Sequence, residues 1–148
     1  MPLPKWTKGF FDKLLEKISR PKTPRKALGD AGENAAAKFL KKRGLRIVKR
    51  NYRSGRDEID IIAADADTLV FVEVKTRSAD ALVPGYFAAV QKRKKAAIRR
   101  CAKAYMRALP RAPKSFRYDV VEVRFGTSAD TSAGKSDPDI FHYENVRF

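Results

Sequence analysis

Glu58-Ile59-Asp60-Ile61-Ile62-Ala63 and, after the short link Ala64-Asp65-Ala66-Asp67, Thr68-Leu69-Val70-Phe71-Val72-Glu73-Val74-Lys75-Thr76 decide how this chain folds. The first segment alternates acid and aliphatic. The second is almost wholly β-branched or aromatic and reads as a central strand covered on both faces. Upstream, Arg46 to Arg53 mixes Ile47, Val48 and Tyr52 with basic residues and ends at Ser54-Gly55, a turn signal. Three strands joined this closely predict an antiparallel meander.

Glu73 and Lys75 interrupt the most apolar of these strands. Alternation puts them on one face with roughly 6–7 Å between their Cα atoms, and Phe71 beside them to exclude water. If the two strands pair, Asp60 reaches the same patch. Two carboxylates beside a lysine suit a hard divalent cation, Mg²⁺ or Mn²⁺, held by oxygen. The lysine would orient or polarise a water, and the metal would neutralise charge building on a phosphate. The plainer reading is a Glu73–Lys75 ion pair, with Asp60 an ordinary strand acid.

Outward from the strands, Asp30 to Arg43 is alanine-rich and helical, with Gly44 as its stop. Gly29, Gly32, Ala36 and Leu40 recur at three- and four-residue steps, a face smooth enough to lie close against a sheet. Glu33 belongs to that face, where an unpaired acid would cost roughly several kcal/mol to bury. A second helix is expected over about Phe87 to Leu109, with an apolar stripe of Val90, Ala97, Ile98, Cys101, Tyr105 and Leu109. Phe116 to Phe125 alternates as a strand, Gly126 to Asp137 reads as a loop, and Ile140 to Phe148 as an edge strand.

The 148 residues are one domain's worth, with 33 Lys plus Arg against 17 Asp plus Glu, a formal charge of +16. So basic a chain, still 43% hydrophobic, reads as a folded protein with an anionic partner. One cysteine excludes a disulfide framework and a cysteine-rich zinc site, and one histidine excludes chemistry needing paired imidazoles. Seven of the acids fall between Asp57 and Asp80, whereas Ala81 to Tyr118 holds 11 basic residues and no acid. Residues 1–27 read as a basic amphipathic arm and linker, with charges between Phe10, Phe11, Leu14, Leu15 and Ile18 and the stretch Pro21-Lys22-Thr23-Pro24-Arg25-Lys26 after them. The arm suits contact with an anionic membrane surface, DNA or a partner, or packing on its own domain. It lacks the uninterrupted apolar core of a secretory signal, and no run approaches the roughly 18–20 apolar residues of a membrane span, so a cytoplasmic location is expected.

The ordered set Asp60, Glu73 and Lys75 resembles the PD-(D/E)xK nuclease superfamily. More narrowly, Gly29-Asp30-Ala31-Gly32-Glu33-Asn34-Ala35-Ala36, Glu58-Ile59-Asp60-Ile61-Ile62, Phe71-Val72-Glu73-Val74-Lys75-Thr76-Arg77 and Arg117-Tyr118-Asp119-Val120-Val121 resemble the bacterial YraN family, which is similar to archaeal Holliday junction resolvases. His142-Tyr143-Glu144-Asn145 fits the same family's ending. The likeness covers residues 28–148, the nuclease-like domain. It implies a restriction-endonuclease-like α/β core, αβββαβ, with a mixed central sheet flanked by helices. It also implies Asp60 and Glu73 as metal ligands, Lys75 assisting the water, and Glu33 as the helix acid that completes the site. Glu58 falls in the matching strand motif, and alternation puts it on Asp60's face, as a group behind the ligands. Ile59 stands where the superfamily label has Pro, and Asp57 where the narrower family usually has Gly.

The expected activity is Mg²⁺-dependent endonucleolytic hydrolysis of DNA, with branched or structured DNA among the substrates the resemblance implies. The alternatives are a non-catalytic nucleic-acid-binding protein of the same fold and a basic adaptor acting through its arm. Lys92, Arg93, Lys95, Arg99, Arg100 and Lys103 are the expected phosphate contacts; Lys94 falls nearer the apolar stripe and is a candidate to point at the site instead. Tyr52, Tyr86 and Phe87 are candidates to stack on bases or to fill the core. His142 reads as a surface or edge-strand residue and Cys101 as a small core residue. Symmetric nicking of a junction would require a homodimer, although no dimer surface is readable.

Overall fold

The computed structural model describes residues 23–78, 92–126 and 137–148. In chain order these form α1 (Pro24–Lys42), β1 (Arg46–Ser54), β2 (Asp57–Asp65), β3 (Thr68–Ser78), α2 (Lys92–Arg107), β4 (Ser115–Phe125) and β5 (Asp139–Tyr143). The strands make one sheet in the order β1-β2-β3-β4-β5. β1, β2 and β3 are the expected antiparallel meander, β4 runs parallel to β3, and β5 returns antiparallel on β4. This is the mixed sheet flanked by helices of a restriction-endonuclease-like core.

One face is sealed by α1: Ala36, Ala37 and Leu40 pack with Ile61, Ala63, Val70, Val72, Val121 and Val123. The other is sealed by α2, whose Ile98, Cys101 and Ala102 pack on Ile59, Ile62, Leu69 and Phe71. β3 therefore has apolar side chains on both faces, as its composition demands. Cys101 is buried, and its Sγ–H is directed at the carbonyls of Tyr52 and Asp57. Tyr52 fills the core beside Tyr105, ring centroids 5.0 Å apart.

α1 begins at Pro24, not Asp30, so the last residues of the expected linker are helical. Thr23 is the N-cap, its hydroxyl accepting the Lys26 N–H, and Pro24 takes the first-turn position where its missing N–H costs nothing. The helix stops as expected. Gly44, at φ +91°, lets its own N–H reach the Lys41 carbonyl while Leu45 N–H reaches Leu40, closing the last turn. β5 is shorter than the expected strand, because Glu144 to Phe148 leave the ladder. Residues 1–22, the greater part of the arm, lie outside the described residues, as do 79–91 with Tyr86 and Phe87, and 127–136. Among the described residues no helix is long and apolar enough to cross a membrane.

Candidate active site

The β2–β3 ladder runs from Asp65↔Thr68 to Ile61↔Val72, and one step further Asp60 falls opposite Glu73. There the ladder gives way to a side chain: Val74 N–H donates to Asp60 Oδ2 at 2.7 Å. The strands open at this point, and a pocket of about 330 Å³ lies in the opening, lined by Glu33, Asp60, Glu73, Val74, Lys75 and Thr76, with Arg25 and Gly29 of α1. Three elements thus bring Glu33, Asp60, Glu73 and Lys75 to one cavity.

Each arrives for a local reason. Glu33 is carried by α1, which touches β3 at the neighbouring residue: a β-carbon on Gly32 would lie 1.8 Å from Thr76 Oγ1. Only glycine permits that approach. The carboxylate of Glu33 faces Arg50 of β1 at 3.7 Å, and Arg50 is itself held by Asn34 at 2.8 Å. Glu73 is 3% exposed, and its Oε1 accepts from Lys75 Nζ at 2.7 Å. Its Oε2 is buried and makes no hydrogen bond; Lys94 Nζ of α2 stands 3.2 Å away without hydrogen-bond alignment.

The charges shape one another. Burial, and then the neighbouring Glu73 charge, push the Asp60 carboxyl up to about 7, against the Val74 N–H and Lys94, which favour its ionised form. At Lys94 burial opposes the charge, but Glu73 and Asp60 outweigh it and hold the ammonium charged. Among the described residues no three His, Cys, Asp or Glu side chains gather closely enough to hold a metal ion by themselves. Two do not have to: Mg²⁺ is commonly bound through one or two carboxylates, with waters and substrate phosphates completing the octahedron. Asp60, with Glu73 and its unbonded oxygen, is a donor set of that kind. Glu33 lines the pocket but is turned to Arg50.

An acid two residues from a cation on a strand is not distinctive in this sheet. Arg117 bonds Asp119 and Arg124 bonds Glu122 in the same way, at 3.1 and 2.7 Å. Position separates Glu73–Lys75 from them, since that pair faces Asp60 across an open pocket. Glu58 is engaged by Arg53 at 2.9 Å and does not line the pocket.

The basic helix lies on the other side of Glu73. Lys92, Arg93, Arg99, Arg100 and Lys103 are exposed and Lys95 is half-buried. They differ in what already holds them. Arg100 forks onto Asp57 with both contacts at 2.9 Å, and Arg99 donates to the Phe148 carbonyl at 3.1 Å.

Sequence reasoning missed a second polar centre, built on β4 and β5. Asp119 is fully buried and accepts from the Asn145 N–H (2.9 Å) and Arg117 Nε (3.1 Å), while His142 Nε2 lies at 2.9 Å. The His142 side chain is 1% exposed, so it sits on the expected strand but inside the protein. Phe39 of α1 meets its ring edge-on, and Arg43 reaches Glu144 at 3.0 Å, tying the C-terminal residues to α1. The signal was the Arg117-x-Asp119 spacing, but nothing in sequence joins it to a histidine 23 residues later.

The model for the uncharacterised protein family UPF0102 matches residues 32–123, which include Glu33, Asp60, Glu73, Lys75 and Lys94. A UPF0102 protein of Chlorobium phaeobacteroides is 46% identical over 97 residues, covering 65% of this chain and 75% of its own. One from Symbiobacterium thermophilum is 46% identical over 100 residues, 67% of this chain and 83% of its own. One from Herminiimonas arsenicoxydans is 37% identical over 106 residues, 72% and 84% of the two chains. The chain belongs to the uncharacterised protein family UPF0102, the YraN family that its motifs resemble.

Proposed function

We propose that the protein is a metal-dependent DNA endonuclease that hydrolyses phosphodiester bonds, with branched or otherwise structured DNA as its substrate. The observation that carries this reading is the meeting of Glu33, Asp60, Glu73 and Lys75 on one open pocket. Its setting adds support, because an acidic cavity beside a helix of lysines and arginines suits a reaction at a phosphate.

Asp60 and Glu73 would hold Mg²⁺ or Mn²⁺, with Glu33 on the same pocket wall. Once bound, the ion supplies charge neutralisation at the phosphate and a water of lowered pKa. The remaining work belongs to the chain. The Val74 N–H pins one oxygen of Asp60 to the β3 backbone, so that carboxylate does not wander. Lys75, anchored on Glu73 Oε1, keeps an ammonium at the pocket wall to orient the attacking water and meet developing negative charge. The exposed cations of α2 bind backbone phosphates through counterion release and read no sequence in doing so.

A second reading, a non-catalytic nucleic-acid-binding protein of the same fold, is favoured by one observation. Lys75 and Lys94 together neutralise Glu73 without any metal. Incubating the purified protein with labelled four-way junction, duplex and single-stranded DNA in Mg²⁺, Mn²⁺ or EDTA separates the two. The endonuclease reading expects metal-dependent cleavage that disappears in Glu73→Ala and Lys75→Ala while DNA binding persists. Cleavage undiminished in both variants overturns it, and binding without cleavage in any metal replaces it with the second reading.

A further inference from the structure

Glu73 is neutralised from two directions by lysines of unequal grip. Lys75 comes from the same strand, and its Nζ makes a 2.7 Å hydrogen bond to Oε1. Lys94 comes from the first turn of α2, and its Nζ stands 3.2 Å from Oε2, an oxygen with no hydrogen bond. Its side chain is 34% exposed, so it has solvent to move into. Lys94 is also where the two halves of the molecule's charge meet. Its neighbours Lys92 and Arg93 are exposed on the basic helix, whereas its own ammonium is paired with Glu73.

A divalent cation on Asp60 and Glu73 would compete with Lys94 for Glu73 Oε2. Two cations cannot share that oxygen at contact distance without strong repulsion in a partly buried site. Lys75 does not face the same conflict, because it holds the other oxygen. The displaced ammonium would then need a new anion; the carboxylates nearest it beyond the pocket, Asp57 and Glu58, are already engaged by Arg100 and Arg53, which leaves a DNA phosphate to take it.

We propose that Lys94 is an exchangeable counter-ion: it occupies Glu73 Oε2 in the metal-free protein, leaves when a divalent cation takes that oxygen, and then binds a DNA phosphate. Metal binding and DNA binding are thereby coupled through one side chain, and by linkage each strengthens the other. The inference rests on the metal-site reading given above. Lys94 acts on the chemistry through Glu73, as a positioning residue.

The test uses the full chain and its Lys94→Met variant, with Lys94→Arg as the charge-keeping control and Lys94→Gln as a second neutral variant should Met impair folding, judged by circular dichroism. Mn²⁺ affinity is read by calorimetry, and affinity for a labelled junction by fluorescence anisotropy in EDTA and in Ca²⁺. Lys94→Met is expected to bind Mn²⁺ about three- to tenfold more tightly, and to lose about fivefold of the gain in DNA affinity that Ca²⁺ confers. Its DNA affinity in EDTA stays within about twofold of wild type, because the metal-free Lys94 is already engaged by Glu73. Lys94→Arg keeps the weak, wild-type metal affinity. Equal weakening of DNA binding in EDTA and Ca²⁺, or unchanged Mn²⁺ affinity, overturns the exchange while leaving a metal-binding, DNA-cleaving wild type intact. Failure of wild type and variant alike to bind Mn²⁺ overturns both the exchange and the metal site beneath it.

Discussion

A β-carbon added to Gly32 would stand 1.8 Å from the hydroxyl oxygen of Thr76 and 2.8 Å from its Cβ. This is where α1 is pressed against β3, one residue before Glu33 and one after Lys75. Gly32→Ala would ordinarily favour a helix by roughly 1 kcal/mol. Here the sign reverses, because the Thr76 Cβ is not a flexible tip and the two elements must separate. We expect a net loss of about 1–3 kcal/mol in urea unfolding. Thr76→Ala in the same chain should recover part of it, since it removes the hydroxyl and methyl but leaves the Cβ. A Gly32→Ala protein as stable as wild type would show that α1 does not lie this close.

The cations of α2 should not contribute equally to DNA affinity. Among the described residues no ion pair holds Lys92, Arg93 or Lys103, whereas Arg100 is forked onto Asp57. Charge reversal at Lys92 or Lys103 should reduce the slope of log affinity against log salt by about one for each phosphate no longer neutralised. Arg100→Ala should change that slope less. Anisotropy titrations at several NaCl concentrations check the order; a larger effect at Arg100 than at Lys103 would relocate the binding face.

These contrasts mark where sequence reading reached and where it stopped. The meander, the twice-covered β3 and the facing of Asp60 and Glu73 were legible, because strand alternation and short turns constrain register locally. Glu33 was legible as an anomaly, an acid on a face otherwise fit for close packing. Its partner Arg50 was not, since nothing local links a helix acid to a bulged edge strand. The start of α1 is hidden in the sequence because Pro21 and Pro24 together resemble a linker, although Thr23-Pro24 is also a sound helix start. Gly29 falls on the same helical spacing as Gly32, yet a β-carbon there would meet nothing within 4 Å. Of the buried acids of β4, Asp119 falls in a stretch that carries the family resemblance, but neither it nor Glu122 is legible as a buried, paired acid from the strand's alternation. Their partners come from a ladder register that no local pattern encodes.

The Asp119–His142 centre should govern acid stability. Burial alone would raise the Asp119 carboxyl, but His142, the Asn145 N–H and Arg117 overcome it and hold the group below its ordinary value. A depressed carboxyl contributes stability that is complete above the unfolded value of 3.8 and is lost as pH falls through the folded one. Asp119→Asn should therefore be less stable than wild type at neutral pH, and the gap should narrow below about pH 4. His142→Ala leaves a buried carboxylate short of a partner and should cost about 2–4 kcal/mol near pH 7. Thermal unfolding of the three proteins from pH 3 to pH 7 decides this. A constant gap across that range would assign the loss to packing and not to charge.

Asp60 should behave in the opposite sense. Its carboxyl is raised from 3.8 to about 7, chiefly by burial and then by Glu73. Between those values the folded protein keeps a proton that the unfolded chain has released, so this group's contribution to stability falls as pH rises from about 4 to about 7. Above that window the penalty is complete. Asp60→Asn removes the ionisation and retains a carbonyl to accept the Val74 N–H. It should match wild type near pH 4 and exceed it at pH 8 by something on the order of 2–4 kcal/mol. Mn²⁺ binding should disappear in the same variant. That outcome would mark a group placed for chemistry at the expense of stability. Urea unfolding in EDTA at the two pH values measures the difference, and an Asp60→Asn protein no more stable than wild type at pH 8 would place this carboxylate among the structural acids of the sheet.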